Sequence, residues 1–281
     1  MKTSTQLKAK ARNLSAKTNI PSHIIQRNYF LERFLERVSL SRYKDSIILK
    51  GGVLITSLLG IEERATVDLD ATMMARSLTG PEIKEILAEV LQIDLHDNVG
   101  FSYKDTEETR IEADYPGFRV TLNVALDKLR DTIKIDFTAG DAITPNPVEY
   151  GYRLMFEDRE IRVLAYNLET ILAEKFNSVL SLSVVNTRMK DYYDIHMLIT
   201  QHGNSIDKSV FAEALKNTAK QRNTFALVPQ SESIVSTIAE NSATAELWKR
   251  YQTASKYASG IDFITVTASL QLLSRWCNPK T

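Results

Sequence analysis

Residues 49–74 read LKGGVLITSLLGIEERATVDLDATMM. Gly51 and Gly52 head an apolar run of helical length, and Asp68 and Asp70 flank a single leucine. With no Cβ, paired glycines permit close backbone approach, and at a helix start they present N–H groups to an anion. Residues 65–74 have the pattern of a strand, on which side chains alternate, so Asp68 and Asp70 share one face and Thr66 joins them. Two carboxylates so placed repel unless a cation joins them, and hard oxygen ligands on a rigid strand suit Mg²⁺ completed by phosphates and water. D-x-D also occurs on solvated strand faces, and a Gly-Gly pair also makes a plain strand-to-helix turn.

Outward from this stretch the chain divides in two. Residues 4–18 and 21–43 have helical spacing; in the second, Ile24, Phe30, Leu31, Phe34 and Val38 form the apolar side and the arginines are assigned to an outer face. Downstream, a helix begins near Pro81, and the segments 99–104, 108–114, 118–125 and 131–138 alternate or carry β-branched residues between polar turns. A proline-containing stretch, DAITPNPVEYG, leads to a strand pair near 152–156 and 160–164. From Leu168 the pattern is helical over 168–182, 189–201, 207–222, 229–240, 243–258 and 262–276. The expected fold class is α+β: a mixed-sheet domain over 1–160 with an N-terminal helical layer, then an all-helical domain over 161–281.

The 281 residues, 43% hydrophobic, suffice for a substantial core. No apolar stretch reaches the roughly 20 uncharged residues of a membrane helix, and the N-terminus lacks the apolar core of a signal peptide, so no membrane partner and a cytoplasmic location are expected. Cys277 is the one cysteine, which excludes an internal disulfide and a cysteine metal cluster. His23, His96, His196 and His202 show no metal-ligand spacing. The zero net charge hides a segregation: residues 1–50 hold eleven Lys/Arg against three Asp/Glu, whereas residues 51–160 hold eleven against twenty-two. An acidic middle suits a cation-dependent site, and a basic start suits phosphates.

A third acid strengthens the reading of the first two. In TIKIDF, residues 132–137, Asp136 is the one acid of an otherwise apolar strand and faces the same way as Lys134. If this strand pairs beside 65–74, Asp136 completes a three-carboxylate cluster able to hold two metal ions. Neither a G-x-x-x-x-G-K-[ST] phosphate loop nor a G-x-G-x-x-G dinucleotide fingerprint is present.

The ordered set Lys50-Gly51-Gly52, then Arg64-x-Thr66-x-Asp68-x-Asp70, then Asp136, resembles the nucleotidyltransferase superfamily with the DNA polymerase β-like minimal fold. More specifically it resembles the AbiEii/AbiGii toxin family, whose later Ala-Glu-Lys helix and Lys-Asp-x-x-Asp are matched by LAEKF at 172–176 and RMKDYYDI at 188–195. The resemblance implies a nucleotidyltransferase-like sheet domain in which Gly51 and Gly52 line the triphosphate; Lys50 beside them, Arg64 as a cation for a phosphate or an acid, and Thr66 bordering the metal site complete the expected nucleotide-binding set. It implies that Asp68, Asp70 and Asp136 bind Mg²⁺, with Mn²⁺ as an alternative, that Lys175 is the active-site lysine, and that Asp191 is the late acid. The second glycine stands where many of these enzymes have serine. On this reading, a phosphate added to Thr66 beside the acids would block nucleotide binding.

The implied activity is Mg²⁺-dependent transfer of a nucleoside monophosphate from an NTP to RNA, with the acceptor end of tRNA as the expected target. The implied role is a toxin that blocks translation and growth, with a cognate antitoxin encoded alongside. Two other readings stay open: the same fold modifying a protein or small-molecule hydroxyl, and a catalytically inactive binding protein. Tyr192, Tyr193 and the Trp248–Tyr257 region could stack a base, although aromatics at helical spacing are more often core.

Overall fold

The structure, a computed structural model, describes residues 1–18, 20–74, 78–109 and 117–277. The chain forms two compact units, Met1–Gly140 with Val148–Ala165, and Asp141–Pro147 with Tyr166–Thr281.

The first unit contains α1 (Ser4–Thr18), α2 (Ser22–Leu40), β1 (Ile47–Lys50), α3 (Gly51–Leu59), β2 (Asp68–Met73), α4 (Gly80–Val90), β3 (Val99–Thr109), β4 (Gly117–Leu126), β5 (Leu129–Ala139), β6 (Val148–Arg153) and β7 (Glu160–Ala165). Among the described residues seven strands make one sheet in the order β3-β4-β5-β2-β1-β7-β6. The β2–β5 and β1–β7 pairs are parallel and the remaining pairs antiparallel. Alternation explains which face of β5 is core: Ile133, Ile135 and Phe137 are buried, while Lys134 is exposed and Asp136 only half-buried. A two-residue turn at Asp127-Lys128 joins β4 to β5 and pairs Leu126 with Leu129; Asp127 takes the positive φ of 52° that tight hairpin turns require. Helix α4 starts on a capping box between Thr79 and Glu82, with Pro81 in the first turn.

Several elements differ from the sequence expectation. Strand β2 begins at Asp68 rather than at residue 65, because residues 61–67 form a turn and loop; Thr66 is therefore not on the strand. The segments 99–104 and 108–109 belong to one strand, β3, irregular between Tyr103 and Asp105; residues 110–114 of the expected second strand lie outside the described residues. The pair near 152–156 and 160–164 starts earlier, at Val148.

The arginines of α2 are the largest departure. Arg33 and Arg37 are each only 2% exposed, because α2 packs on the sheet while α1 covers another of its sides. Buried guanidinium groups need partners, and these have them: Arg37 Nη2 lies 3.1 Å from Asp97 Oδ1 and donates to the Val99 carbonyl at 2.8 Å. Arg33 Nη1 lies 3.0 Å from Glu36 and 3.1 Å from Glu157.

The second unit contains α5 (Leu168–Leu182), α6 (Met189–His202), α7 (Lys208–Gln221), α8 (Ser231–Glu240), α9 (Ser242–Ala254) and α10 (Phe263–Cys277). Its core includes Phe176, Tyr192, Leu198, Phe211, Leu215 and Leu270. Asn167 and Asp207 cap α5 and α7 by accepting backbone N–H groups of their first turns. Residues 141–147 are tied into this unit: the Thr144 carbonyl accepts from Asn167 Nδ2 at 2.7 Å and Thr144 Oγ1 accepts from Asn217 Nδ2 at 3.0 Å. Among the described residues no helix is long and apolar enough to cross a membrane.

Candidate functional site

The register of the first unit gathers charge into one transverse row. Lys50 on β1 pairs with Asp70 on β2, Asp70 with Asp136 on β5, and Asp136 with Arg119 on β4. Residues directly opposite in a sheet share a face, so a cation stands at each end and two carboxylates stand between. Asp68, two residues before Asp70 on the same face, pairs with Lys134. The sheet thus brings Asp68, Asp70 and Asp136 together at the edge where β1 passes into α3.

The two glycines shape that edge. Gly51 has φ +59° and a Cβ placed on it would lie 2.1 Å from Asp70 Oδ2, so only glycine fits. A Cβ on Gly52 would fall 2.4 Å from Thr66 Oγ1. The Gly52 N–H donates to Asp70 Oδ2 at 2.9 Å, placing that carboxylate at the positive end of α3.

Arg64 and Thr66 lie in the loop before β2 and are held by internal bonds. Arg64 is 3% exposed; its Nη1 donates to the Gly52 carbonyl at 2.8 Å, bracing the helix start from below. Thr66, 7% exposed, donates from Oγ1 to the Asp68 carbonyl at 3.3 Å, while Asn28 Nδ2 donates to the Thr66 carbonyl at 2.7 Å. Lys50 is buried as well.

Electrostatics separate the acids. Burial, and next the neighbouring Asp136 carboxylate, push the Asp68 carboxyl above its ordinary range, with Arg119 and Lys134 opposing. Asp136 is clamped instead: Arg119 Nε donates to Oδ1 at 2.8 Å and Nη2 to Oδ2 at 2.7 Å, a bidentate pair that holds the guanidinium firmly protonated. Among the described residues no three Asp, Glu, His or Cys side chains are grouped as ligands for one ion. Asp68 and Asp70 nevertheless suit a hard divalent cation: both are oxygen donors on one strand face, and Asp68 sits where added positive charge would relieve it.

Arg119 was not singled out in the sequence. The signal was there, since a two-residue turn at Asp127-Lys128 fixes which residue of β4 faces Asp136.

The second unit holds its own charged cluster. Lys175 on α5 reaches Asp191 Oδ1 at 2.8 Å and Asp194 Oδ2 at 2.7 Å, both on α6. Asp191 and Asp194 are buried, Asp194 completely, Lys175 is partly exposed, and Arg188 Nε lies 3.0 Å from the other Asp191 oxygen. Asp191 and Asp194, three apart on one helix face, thus anchor Lys175. Glu174, the lysine's neighbour, pairs instead with Arg222 at 2.8 Å. Tyr192, Tyr193 and Trp248 are core; Tyr193 packs with the half-buried Tyr251 and Tyr257, and Trp248 lies against Tyr251. His196 bonds Ser269 Oγ through Nδ1 and is kept below its ordinary pKa by burial.

A search of curated proteins finds no match to this sequence. Among solved structures, the fold is similar to MenT4, a nucleotidyltransferase toxin from Mycobacterium tuberculosis H37Rv, with a TM-score of 0.56 at 13% identity over 95% of this chain and 98% of that one. It is also similar to JHP933 from Helicobacter pylori, with a TM-score of 0.50 at 14% identity over 91% and 92% of the two chains. At such identity these likenesses establish the fold: a nucleotidyltransferase-like mixed sheet with helices before and after it. The sequence profile described as nucleotidyl transferase AbiEii toxin, type IV toxin–antitoxin system, matches residues 33–263, a span that holds both charged clusters. The chain belongs to the AbiEii nucleotidyltransferase toxin family.

Proposed function

We propose that the chain transfers a nucleoside monophosphate from an NTP to RNA, at the acceptor end of tRNA, with Mg²⁺ held by Asp68 and Asp70. The acceptor hydroxyl oxygen forms a bond to the α-phosphorus and loses its proton to solvent, the bond from the α-phosphorus to the bridging oxygen breaks, and pyrophosphate leaves. Mg²⁺ supplies charge neutralisation at the phosphates. The protein contributes position: β2 fixes the two carboxylates, and the Gly51-Gly52 turn lets Asp70 approach the start of α3. Lys175, held by Asp191 and Asp194, is the proposed cation of the helical unit.

The observation that carries the reading is the row of Lys50, Asp70, Asp136 and Arg119, with Asp68 beside it, in a chain of this family. For RNA as acceptor the support is narrower. The exposed residues of α1 include Lys8, Arg12 and Lys17, cations of the kind that meet phosphodiesters, whereas Lys10 donates to the Phe156 carbonyl and the α2 arginines are engaged internally. Family membership implies an antitoxin partner and a role in arresting growth, by blocking translation if tRNA is the target. The test is incubation with each α-labelled NTP, Mg²⁺ and tRNA, followed by 3′-end analysis. Label on tRNA supports the reading; label confined to protein or to small alcohols rejects RNA as acceptor, and toxicity unchanged in Asp68→Asn rejects catalysis as its cause.

A further inference from the structure

The geometry points to Arg119 as the second cation of this centre: it occupies Asp136 in place of a second metal ion, leaving one divalent ion on Asp68 and Asp70, and offers its remaining edge to a phosphate of the nucleotide. This rests on the nucleotidyl-transfer reading above.

Three features support it. First, both oxygens of Asp136 are taken, at 2.8 and 2.7 Å, by Nε and Nη2 of one guanidinium. An arginine fork matches a carboxylate in this way, and arginine does not lose its proton in a protein, so the clamp is a permanent positive charge. Second, the pairing is built into the backbone. Arg119 and Asp136 stand opposite each other across β4 and β5 in a hairpin whose short turn leaves no slack in register. Third, the pair uses only one edge of the guanidinium, and the side chain retains 36% of its exposure, so the Nη1 side can meet solvent or a ligand. A planar donor set beside two metal-binding carboxylates suits a phosphate oxygen.

The same geometry limits what the acids can do. A carboxylate clamped by arginine already has its countercharge, and the guanidinium repels a second divalent ion brought to the same oxygens; no three ligand side chains are grouped for one ion among the described residues. Asp68 and Asp70 have no such clamp: Asp70 accepts the Gly52 N–H through Oδ2, and Asp68 has Lys134 across the strand pair. Asp136 is therefore a positioning residue, acting through Arg119.

Equilibrium dialysis against Mn²⁺ and a non-hydrolysable α,β-methylene NTP, counting Mn²⁺ per bound nucleotide, tests this without turnover. The wild type and Asp136→Asn are expected to bind one Mn²⁺ per nucleotide. Arg119→Gln is expected to bind two and to hold the nucleotide roughly tenfold more weakly. Adding Asp136→Asn to Arg119→Gln should return the count to one. Arg119→Lys, which keeps a cation at the position and serves as the folding control, should stay at one. Two Mn²⁺ in the wild type with one lost in Asp136→Asn overturns the inference, as does a count of one in Arg119→Gln. A wild type that binds nucleotide with no Mn²⁺ overturns the metal assignment to Asp68 and Asp70 and the reading on which the inference rests.

Discussion

Asp70 Oδ2 accepts the backbone N–H of Gly52 at 2.9 Å, so the strand that carries the acids is tied to the first turn of the helix that follows β1. The bond needs the carboxylate almost on top of the neighbouring glycine. Gly51→Ala would put a methyl group 2.1 Å from Asp70 Oδ2 at a φ of +59°. The backbone strain alone costs about 1–2 kcal/mol, and the clash must move Asp70. The variant is expected to lower the urea midpoint and to abolish nucleotide transfer; a variant with unchanged midpoint and activity would show that the turn is not needed.

Asp68→Asn separates chemistry from folding. The loss of charge relieves the repulsion by Asp136 and the burial that raise the Asp68 carboxyl, so the fold is expected to keep its stability within about 0.5 kcal/mol. Transfer should fall by roughly 10²–10³-fold, the equivalent of several kcal/mol of lost metal-ion stabilisation. Thermal melts and labelled-NTP assays on the same preparation check both halves.

Lys175 is expected to matter twice. Lys175→Met takes the lysine charge from the fully buried Asp194 and leaves the buried Asp191 with Arg188 alone of its two cations, at a cost of about 3–5 kcal/mol. Lys175→Met with Asp194→Asn should recover much of that stability, yet remain inactive. Recovery of activity in the double variant would assign the lysine a structural role alone.

Glu32 sets a pH dependence away from the carboxylate row. Its carboxyl, 3% exposed, accepts the Met155 N–H at 2.9 Å and is pushed up from 4.5 to about 8, chiefly by burial. The Met155 N–H and Arg33 oppose the rise, while Glu157 and Glu36 add to it. A carboxyl with a raised folded-state pKa keeps its proton in the folded chain while the unfolded chain loses it. Stability is therefore full below pH 4.5 and declines by up to about 1.4 kcal/mol per unit until pH 8. The melting temperature of Glu32→Gln relative to wild type is expected to climb across that window and level off above it. A constant difference from pH 5 to pH 9 would reject a neutral buried Glu32.

What was legible in the sequence was whatever rests on periodicity and local chemistry. The Gly51-Gly52 turn, the apolar alternation of β5 and the helices from Leu168 onward all follow from side-chain spacing. Asp68, Asp70 and Asp136 could be chosen because acids inside apolar strands need a reason. Spacing could not decide which charges would be buried in pairs. Arg33 and Arg37 read as outer-face cations because a helix that packs on a sheet and is covered again by another helix has no single outer face. Thr66 reads as a strand residue because a pattern shows neighbours along the chain, whereas it sits in the loop before β2, from which Arg64 reaches back to the Gly52 carbonyl. Arg119 was hidden because its meaning depends on pairing two strands in register.

The heptapeptide Asp141–Pro147 has a practical meaning for anyone wishing to take this protein apart. It leaves the sheet unit after β5, supplies Thr144 to Asn167, Thr170 and Asn217, and returns to the sheet as β6. Neither half is thus a continuous piece of sequence. A fragment beginning at Tyr166 would lack the peptide that bonds the Asn167 and Thr170 side chains at the start of α5, and one ending at Gly140 would lack two strands. The gene cannot be cut once to give two working parts, and swapping helical halves between relatives would require carrying this seven-residue thread across with them.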